Sequence, residues 1–253
     1  MSVTYHINRI IRLLGGKKRP YTTAILLAAG LGTRMQTKDG RTKQLLPLRG
    51  VPVLVHTARA FEKCPYIDSI VVVGRAEELD TVREMMSDYR ITKFRAACVG
   101  GATRQESALC GFAAADGPRL GCVAIHDAAR CLVTPKIIAD VVSAAYAGGA
   151  AAAGTRVHDT VKKTDRNGYV TETVDREDLW FAATPQAFSA NLYRAAAYSA
   201  QEVKFRATDD VMLCERIGQA VKMIDCGDEN FKITTGQDLI RAELVLRARE
   251  DRT

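Results

Sequence analysis

The sequence predicts an α/β protein built on a mostly parallel sheet with helices on both faces and a protruding β-arm. Short, continuous apolar runs of strand length alternate with helix-length amphipathic segments from Thr22 to Gly149. Each of several strand runs breaks into a polar or Gly-rich loop, the arrangement that places ligands at the carboxyl ends of a parallel sheet. The pattern then changes, and Asp165-Arg166-Asn167-Gly168 stands between two short strand candidates as a hairpin with an Asn-Gly turn.

The elements follow in order. The run Ala24 to Ala29 has the length and flanks of a buried strand and opens into a Gly-rich loop carrying Arg34 and, further on, Lys43. Glycines let backbone N–H groups face an anion, and the two cations add charge that neutral amides lack. The loop is not a P-loop, which ends in Gly-Lys-Ser/Thr, and Met35 occupies the place of the third glycine of the dinucleotide fingerprint. Pro52 marks the first turn of a helix over Val53 to Lys63. Ser69 to Val73 reads as a second buried strand and Ala76 to Met86 as an acidic helical stretch. Phe94 to Val99 is a third strand, ending in Gly100-Gly101. Thr103 and Glu106 have capping-box spacing for a helix from about Arg104 to Ala115. Gly121 to His126 is another strand, terminated by His126-Asp127-Ala128-Ala129-Arg130, and Thr134-Pro135 caps a helix to about Ala147. The loops Gly30 to Lys43, Gly100 to Ser107 and His126 to Arg130 should therefore converge on one crevice.

From Ala150 a small-residue strand leads to the hairpin of Thr160 to Lys163 and Tyr169 to Val174. That hairpin is too short for a core of its own and must lie on the body or reach a partner. Leu179 to Ala183, a helix after Thr184-Pro185, a helix capped near Thr208, a strand at Val221 to Asp225 and a closing helix from about Gln237 complete the chain.

Length, charge and cysteine usage limit the function. The 253 residues suffice for one large α/β domain or two small ones. Of the formal charge of +7, residues 1–20 carry +5 with no acid, so the remainder is nearly balanced. A nucleic-acid reader would carry a basic stripe on the folded body, so no nucleic-acid partner is expected. No run of about 18 apolar residues is present, so no membrane span is expected. Arg9 and Arg12 interrupt what would be the apolar region of a signal peptide. Ile7, Ile10, Ile11 and Leu14 instead mark residues 1–20 as a basic amphipathic extension, read as packing on the domain or on a neighbouring chain in preference to a membrane surface. Seven cysteines without a CxxC pair or zinc-like His spacing imply reduced, buried thiols and a cytoplasmic location.

No GxSxG elbow or HExxH helix occurs. Asp127, at a strand end, is either a metal–phosphate ligand or a cap for the next turn. Arg34 and Lys43 are either phosphate-binding or solvated cations.

The ordered set Ala28-Ala29-Gly30-Leu31-Gly32-Thr33-Arg34-Met35, Lys43-Gln44, Gly100-Gly101, Arg104 with Ser107, Val123 through Arg130, Asp159-Thr160-Val161-Lys162, Thr173-Val174-Asp175-Arg176, Thr184-Pro185-Gln186 and Phe231-Lys232-Ile233-Thr234 resembles the 2-C-methyl-D-erythritol 4-phosphate cytidylyltransferases of the non-mevalonate isoprenoid route. The resemblance runs from about Thr23 to Val245. It implies a Rossmann-like nucleotidyltransferase fold forming a single domain over residues 21–253, with the β-arm at about 155–178 exchanged in a homodimer. It also implies transfer of CMP from CTP to 2-C-methyl-D-erythritol 4-phosphate, with Mg²⁺ and with release of pyrophosphate. By position, Arg34 and Lys43 would stabilise the triphosphate and Lys232 would lie near the α-phosphate and acceptor. Ala28, Ala29, Gly101 and Ser107 would border cytosine, with Gly30, Gly32 and Ala128 completing the nucleotide set. Asp127 would lie near ribose and metal. Thr160, Arg176 and Thr184 would hold the acceptor's phosphate, the first two from the partner's arm. Thr42 and Cys131 stand where the family usually has proline, and Ala102 where an acid is frequent. Alternatives are the paralogue that activates ribitol 5-phosphate with CTP, and a non-catalytic nucleotide-binding protein.

Overall fold

The computed structural model describes residues 19–30 and 42–251; Leu31 to Arg41, which include Gly32 and Arg34, and the amphipathic segment through residue 18 lie outside the described residues. Seven strands form one sheet: β1 (Tyr21–Leu27), β4 (Ser69–Gly74), β5 (Phe94–Val99), β6 (Leu120–Asp127), β7 (Ala150–Arg156), β10 (Trp180–Ser189) and β11 (Lys222–Asp225). Their spatial order is β11-β7-β10-β6-β1-β4-β5. Only β10 runs against its neighbours, pairing antiparallel with both β6 and β7. The pairs β1–β4, β1–β6, β4–β5 and β7–β11 are parallel.

The continuous apolar runs are explained by helices on both faces of this sheet. Along β1, Ala24 and Leu26 point into one core with α1 (Val53–Lys63), α2 (Leu79–Asp88) and α4 (Pro135–Gly148). Ile25 and Leu27 point into the other with α3 (Arg104–Ala115), α5 (Ala190–Glu202) and α6 (Val211–Arg216). The two-residue period of a strand thus divides one apolar run between two cores. A third, smaller core of Leu48, Val53, Cys131, Leu132, Ile233 and Ala242 joins the loops above the sheet to α7 (Gly236–Glu250).

The helix starts follow their sequence signals. Thr103 accepts the Glu106 N–H and Glu106 returns the bond, completing a capping box on α3; Thr134 caps α4, and Thr235 with Asp238 forms the same box on α7. The arm is the expected two-stranded hairpin, β8 (Val161–Thr164) on β9 (Val170–Val174), closed by Asp165 accepting the Asn167 and Tyr169 N–H groups.

Two expectations need correction. The chain does not turn helical after Thr184-Pro185, because β10 continues to Ser189 and α5 begins only at Ala190. Ala187 and Phe188 fill the slot between β6 and β7, and Pro185 falls where the β7 register is broken, between Ala182 and Gln186, so its missing N–H costs the ladder nothing. Thr208 does not cap the following helix; α6 starts at Val211, where Asp209 accepts the Met212 N–H. The sequence reading also passed over the short hairpin β2 (Pro47–Leu48) and β3 (Val51–Pro52), whose two-residue strands carry too little pattern to be seen.

Close approach of α3 to the sheet depends on Gly111. A Cβ there would lie 2.3 Å from Cγ2 of Ile25 and 2.7 Å from Cγ2 of Val73. Gly111→Ala should therefore destabilise the fold by about 1–3 kcal/mol through overpacking, although alanine is the better helix former. Urea denaturation of the two proteins measures the difference; a gain in stability would show that the helix can move away without loss.

Candidate active site

Strand order reverses across β1: the chain steps outward through β4 and β5, then returns to place β6 on the other side of β1. A parallel sheet opens at such a switch point. Here a crevice of about 640 Å³ lies across the carboxyl ends, lined by Ala29 and Gly30 after β1, Gly74 and Arg75 at the end of β4, Gly100 and Gly101 after β5, and Asp127 and Ala129 at the end of β6. Lys43, Arg104, Ser107, Lys232 and Thr234 complete its polar wall.

Each wall residue has a local cause. A Cβ on Gly100 would meet Cβ of Ala29 at 2.6 Å and Oγ of Ser107 at 2.8 Å, so only glycine lets the β5 end lie this close to the β1 end. The Ser107 hydroxyl accepts the Gly101 N–H (3.1 Å) and donates to the Thr103 carbonyl (2.9 Å), fixing the loop against the α3 N-terminus. The Phe231–Thr234 segment is joined to the β6 loop through Ile233, whose N–H donates to the Ala129 carbonyl (2.9 Å). Ile233 is buried in the third core, leaving Lys232 and Thr234 on the crevice side. Lys43 sits on the 3₁₀ turn Lys43–Leu45, largely buried, with its ammonium 2.8 Å from the Ile233 carbonyl.

Asp127 is the electrostatic centre. One carboxylate oxygen lies 3.1 Å from Nε of Arg104 and the other 2.7 Å from Nζ of Lys232. Burial alone would raise its pKa, but Arg104 and then Lys232 outweigh burial and hold it well below the usual carboxylate range. Arg104 also reaches Asp210 (2.6 Å), and Tyr193 donates to the other Asp210 oxygen (2.8 Å). Burial would lower the Arg104 pKa, yet Asp210 and Asp127 raise it, so the guanidinium stays charged. Asp210 and Tyr193 were missed in the sequence. Asp209-Asp210 reads there as an ordinary acidic helix start, and Tyr193 as one more apolar position of α5.

Below Asp127, the Thr184 hydroxyl accepts the Asp127 N–H (3.0 Å) and lies 3.0 Å from Nδ1 of His126. Nε2 of His126 is 3.2 Å from the Arg130 carbonyl. Neutral imidazole with its proton on Nε2 satisfies both contacts, with Thr184 donating to Nδ1. Burial pushes His126 down to about 3, against the opposing pull of Asp127.

Of the residues singled out from the sequence, the crevice brings together Ala29, Gly30, Lys43, Gly101, Ser107, Asp127 and Lys232. Ala28 and Ala128 are buried at the strand ends and do not line the crevice; the Ala28 N–H donates to the Val73 carbonyl and that of Ala128 to the Leu27 carbonyl. Thr184, expected on the acceptor's phosphate, is buried with its hydroxyl committed to Asp127 and His126. Thr160 and Arg176 lie on the exposed arm segment and do not line this chain's crevice. Arg34 and Gly32 lie outside the described residues.

A mostly parallel sheet whose switch point opens onto a basic crevice organised around one ionised carboxylate defines an α/β nucleotidyltransferase-like protein. Within that class, the chain belongs to the 2-C-methyl-D-erythritol 4-phosphate cytidylyltransferase family, whose sequence profile matches residues 22–248. It is 41% identical over 225 residues to the enzyme of that name from Lysinibacillus sphaericus, covering 89% of this chain and 95% of the relative. It is 42% identical over 230 residues to that of Pelotomaculum thermopropionicum, covering 90% and 95%. Among solved structures, the 4-diphosphocytidyl-2C-methyl-D-erythritol synthase of Anaerococcus prevotii superposes with a TM-score of 0.80 at 28% identity, covering 90% of this chain and 96% of that one. The Thermus thermophilus cytidylyltransferase gives 0.72 at 29% identity, covering 88% and 98%.

The His126 environment predicts an acid sensitivity. An imidazole held near 3 when folded but near 6.5 when unfolded takes up its proton first in the unfolded chain. Its contribution to stability is therefore complete above about pH 6.5 and is lost as pH falls toward 3, at about 1.4 kcal/mol per pH unit in the middle of that window. In urea denaturation between about pH 6 and 4, His126→Gln should lose roughly one proton's worth of slope, whatever its absolute stability. An unchanged slope would mean that His126 is protonated in the folded protein.

Proposed function

We propose that the crevice transfers CMP from CTP to 2-C-methyl-D-erythritol 4-phosphate and releases pyrophosphate. The observation that carries this reading is the grouping of Lys43, Arg104 and Lys232 at the carboxyl end of the sheet, around Asp127, in a chain of this family. The attacking atom is a phosphate oxygen of the acceptor, anionic at neutral pH, so no general base is needed. Its new bond forms at the α-phosphorus of CTP as the bond to the pyrophosphate oxygen breaks. The barrier lies in bringing two polyanions together and stabilising charge on the pentavalent phosphorus, which calls for cations and not for a base.

Lys43 and Lys232 are assigned to the triphosphate and the α-phosphate, and Arg34 to the triphosphate with them. Lys232 already holds a carboxylate at 2.7 Å, so it can exchange one anionic partner for another without leaving the crevice wall. Ala29, Gly30, Gly101 and Ser107 are assigned to the nucleoside, with Gly32 in the same loop. Ala28 and Ala128 hold the strand ends beneath it. Thr184 is assigned to positioning Asp127 in preference to direct contact with acceptor.

Mg²⁺ is the proposed cofactor. Among the described residues no group of three or more His, Cys, Asp or Glu could cage a metal. One ionised carboxylate beside a phosphate site nevertheless fits an ion held mainly by substrate phosphates. Asp127 would hold it, and the ion would supply neutralising charge on those phosphates.

The arm supports a homodimer. Its two strands bury no core, and Tyr169 and Val170 are largely exposed. Thr160 and Arg176 lie away from this chain's crevice, and a partner's arm would bring them to it. No helix among the described residues is long and apolar enough to cross a membrane. A cytoplasmic location is proposed from the seven cysteines, none of them in a disulfide.

The test is pyrophosphate release from CTP with each polyol phosphate. Release is expected with methylerythritol phosphate and not with ribitol 5-phosphate; CTP binding without release from either would leave a nucleotide-binding protein. Lys43→Ala should lower kcat/KM by about 100-fold. Arg176→Lys keeps the charge but loses the planar two-point fork, so the acceptor KM should rise by about tenfold while that for CTP holds. An unchanged acceptor KM removes Arg176 from the site.

A further inference from the structure

We propose that Glu78 is a positioning residue for Lys43, acting through Thr42. Thr42 is buried and immediately precedes Lys43. Its carbonyl accepts the Leu45 N–H (3.0 Å), the bond that closes the 3₁₀ turn carrying Lys43. Its other polar groups both go to Glu78: the backbone N–H donates to Oε1 and the hydroxyl to Oε2, each at 3.3 Å. Glu78 ends a second 3₁₀ turn, Ala76–Glu78, where its own N–H donates to the Arg75 carbonyl (3.0 Å). Arg75, Ala76 and Glu77 line the crevice on the β4 side, while Lys43 and Gln44 line it beside the β1 loop. One carboxylate, which does not itself line the crevice, therefore joins two of its walls.

The backbone explains why such a join is needed. Thr42 has φ −71° and ψ 151°, the extended conformation that proline would fix through its ring. Threonine leaves φ free to rotate. The N–H that proline would lack is the group that Glu78 engages, so two hydrogen bonds hold the angle in place of the ring. The ammonium of Lys43 is fixed at the far end by the Ile233 carbonyl. Loss of the Glu78 bonds would free the near end, and a displacement of about 1 Å at a charge that must face the α-phosphate is costly in rate.

The inference rests on the assignment of Lys43 to the triphosphate, and the experiment separates the two. Steady-state kinetics and CTP binding by calorimetry are measured for Lys43→Ala, Glu78→Ala, Glu78→Gln, Thr42→Pro and the double variant Glu78→Ala/Thr42→Pro, with thermal melts to establish that each is folded. Glu78→Ala should raise the CTP KM and Kd by about three- to tenfold, the worth of one or two hydrogen bonds, and leave the acceptor KM in place. Glu78→Gln can still accept from the N–H and donate to the hydroxyl, so it should stay within about twofold of the parent. Thr42→Pro replaces the bonds by a covalent restraint, so adding Glu78→Ala to it should change nothing further. An unaltered CTP KM in Glu78→Ala, or an equal loss in the proline background, overturns the proposal. If Lys43→Ala is itself silent, the assignment of Lys43 fails instead.

Discussion

A single carboxylate, that of Asp127, organises the crevice. A buried charge is stable only when it is paired and hydrogen-bonded, and this one is held by Arg104 on one side and Lys232 on the other. Those partners come from separate parts of the chain: Arg104 from the first turn of α3 and Lys232 from the extended segment before α7. The requirement propagates outward. Arg104 needs Asp210 for its second edge, and Asp210 needs the Tyr193 hydroxyl and the side-chain carbonyl of Gln186, which accepts its N–H (3.0 Å). The result is a buried polar chain from β6 through α3 to α5 and β10, each member fixed by the next.

The same network explains why a site built for polyanions need not repel itself when empty. Arg104 and Lys232 would disfavour one another across a short gap, and the carboxylate between them removes that cost. In the proposed reaction, phosphates entering the crevice would supply new acceptors for Lys232 without exposing an unpaired buried charge, because Asp127 keeps Arg104. Neutral His126 beneath contributes geometry and no charge. Its imidazole, flanked by Phe61 with ring centroids 5.1 Å apart, fixes the Thr184 hydroxyl that in turn orients the Asp127 backbone.

How much of this was legible in the sequence depended on whether the signal was local. The strands β1, β4 and β6 were readable because each needs an apolar run for two cores, and the α3 start because Thr103 and Glu106 are three residues apart. The convergence of three loops followed from parallel strands sharing one carboxyl edge. What stayed hidden depends on long-range partners. Asp210 gains its place in the site from Arg104, 106 residues away, and Thr42 from Glu78, 36 residues away. A helix is expected after Thr184-Pro185, whereas the strand continues, since the neighbouring register makes no demand on the N–H that Pro185 lacks. Thr184 was read by position as a phosphate ligand, and only burial shows that its hydroxyl is already engaged.

The charges of the crevice and of the arm are held in different ways. The crevice of one chain is walled by paired charges, with Asp127 answering Arg104 and Lys232, and an Arg75–Glu77 contact at the lip. The arm carries Lys162, Lys163, Arg166 and Arg176 on an exposed segment, offset there by Asp159, Asp165, Glu172 and Asp175. If a partner's arm reaches the crevice as proposed, one of those cations would approach the acceptor without having been buried in advance, and the body would avoid the desolvation cost of holding that charge alone.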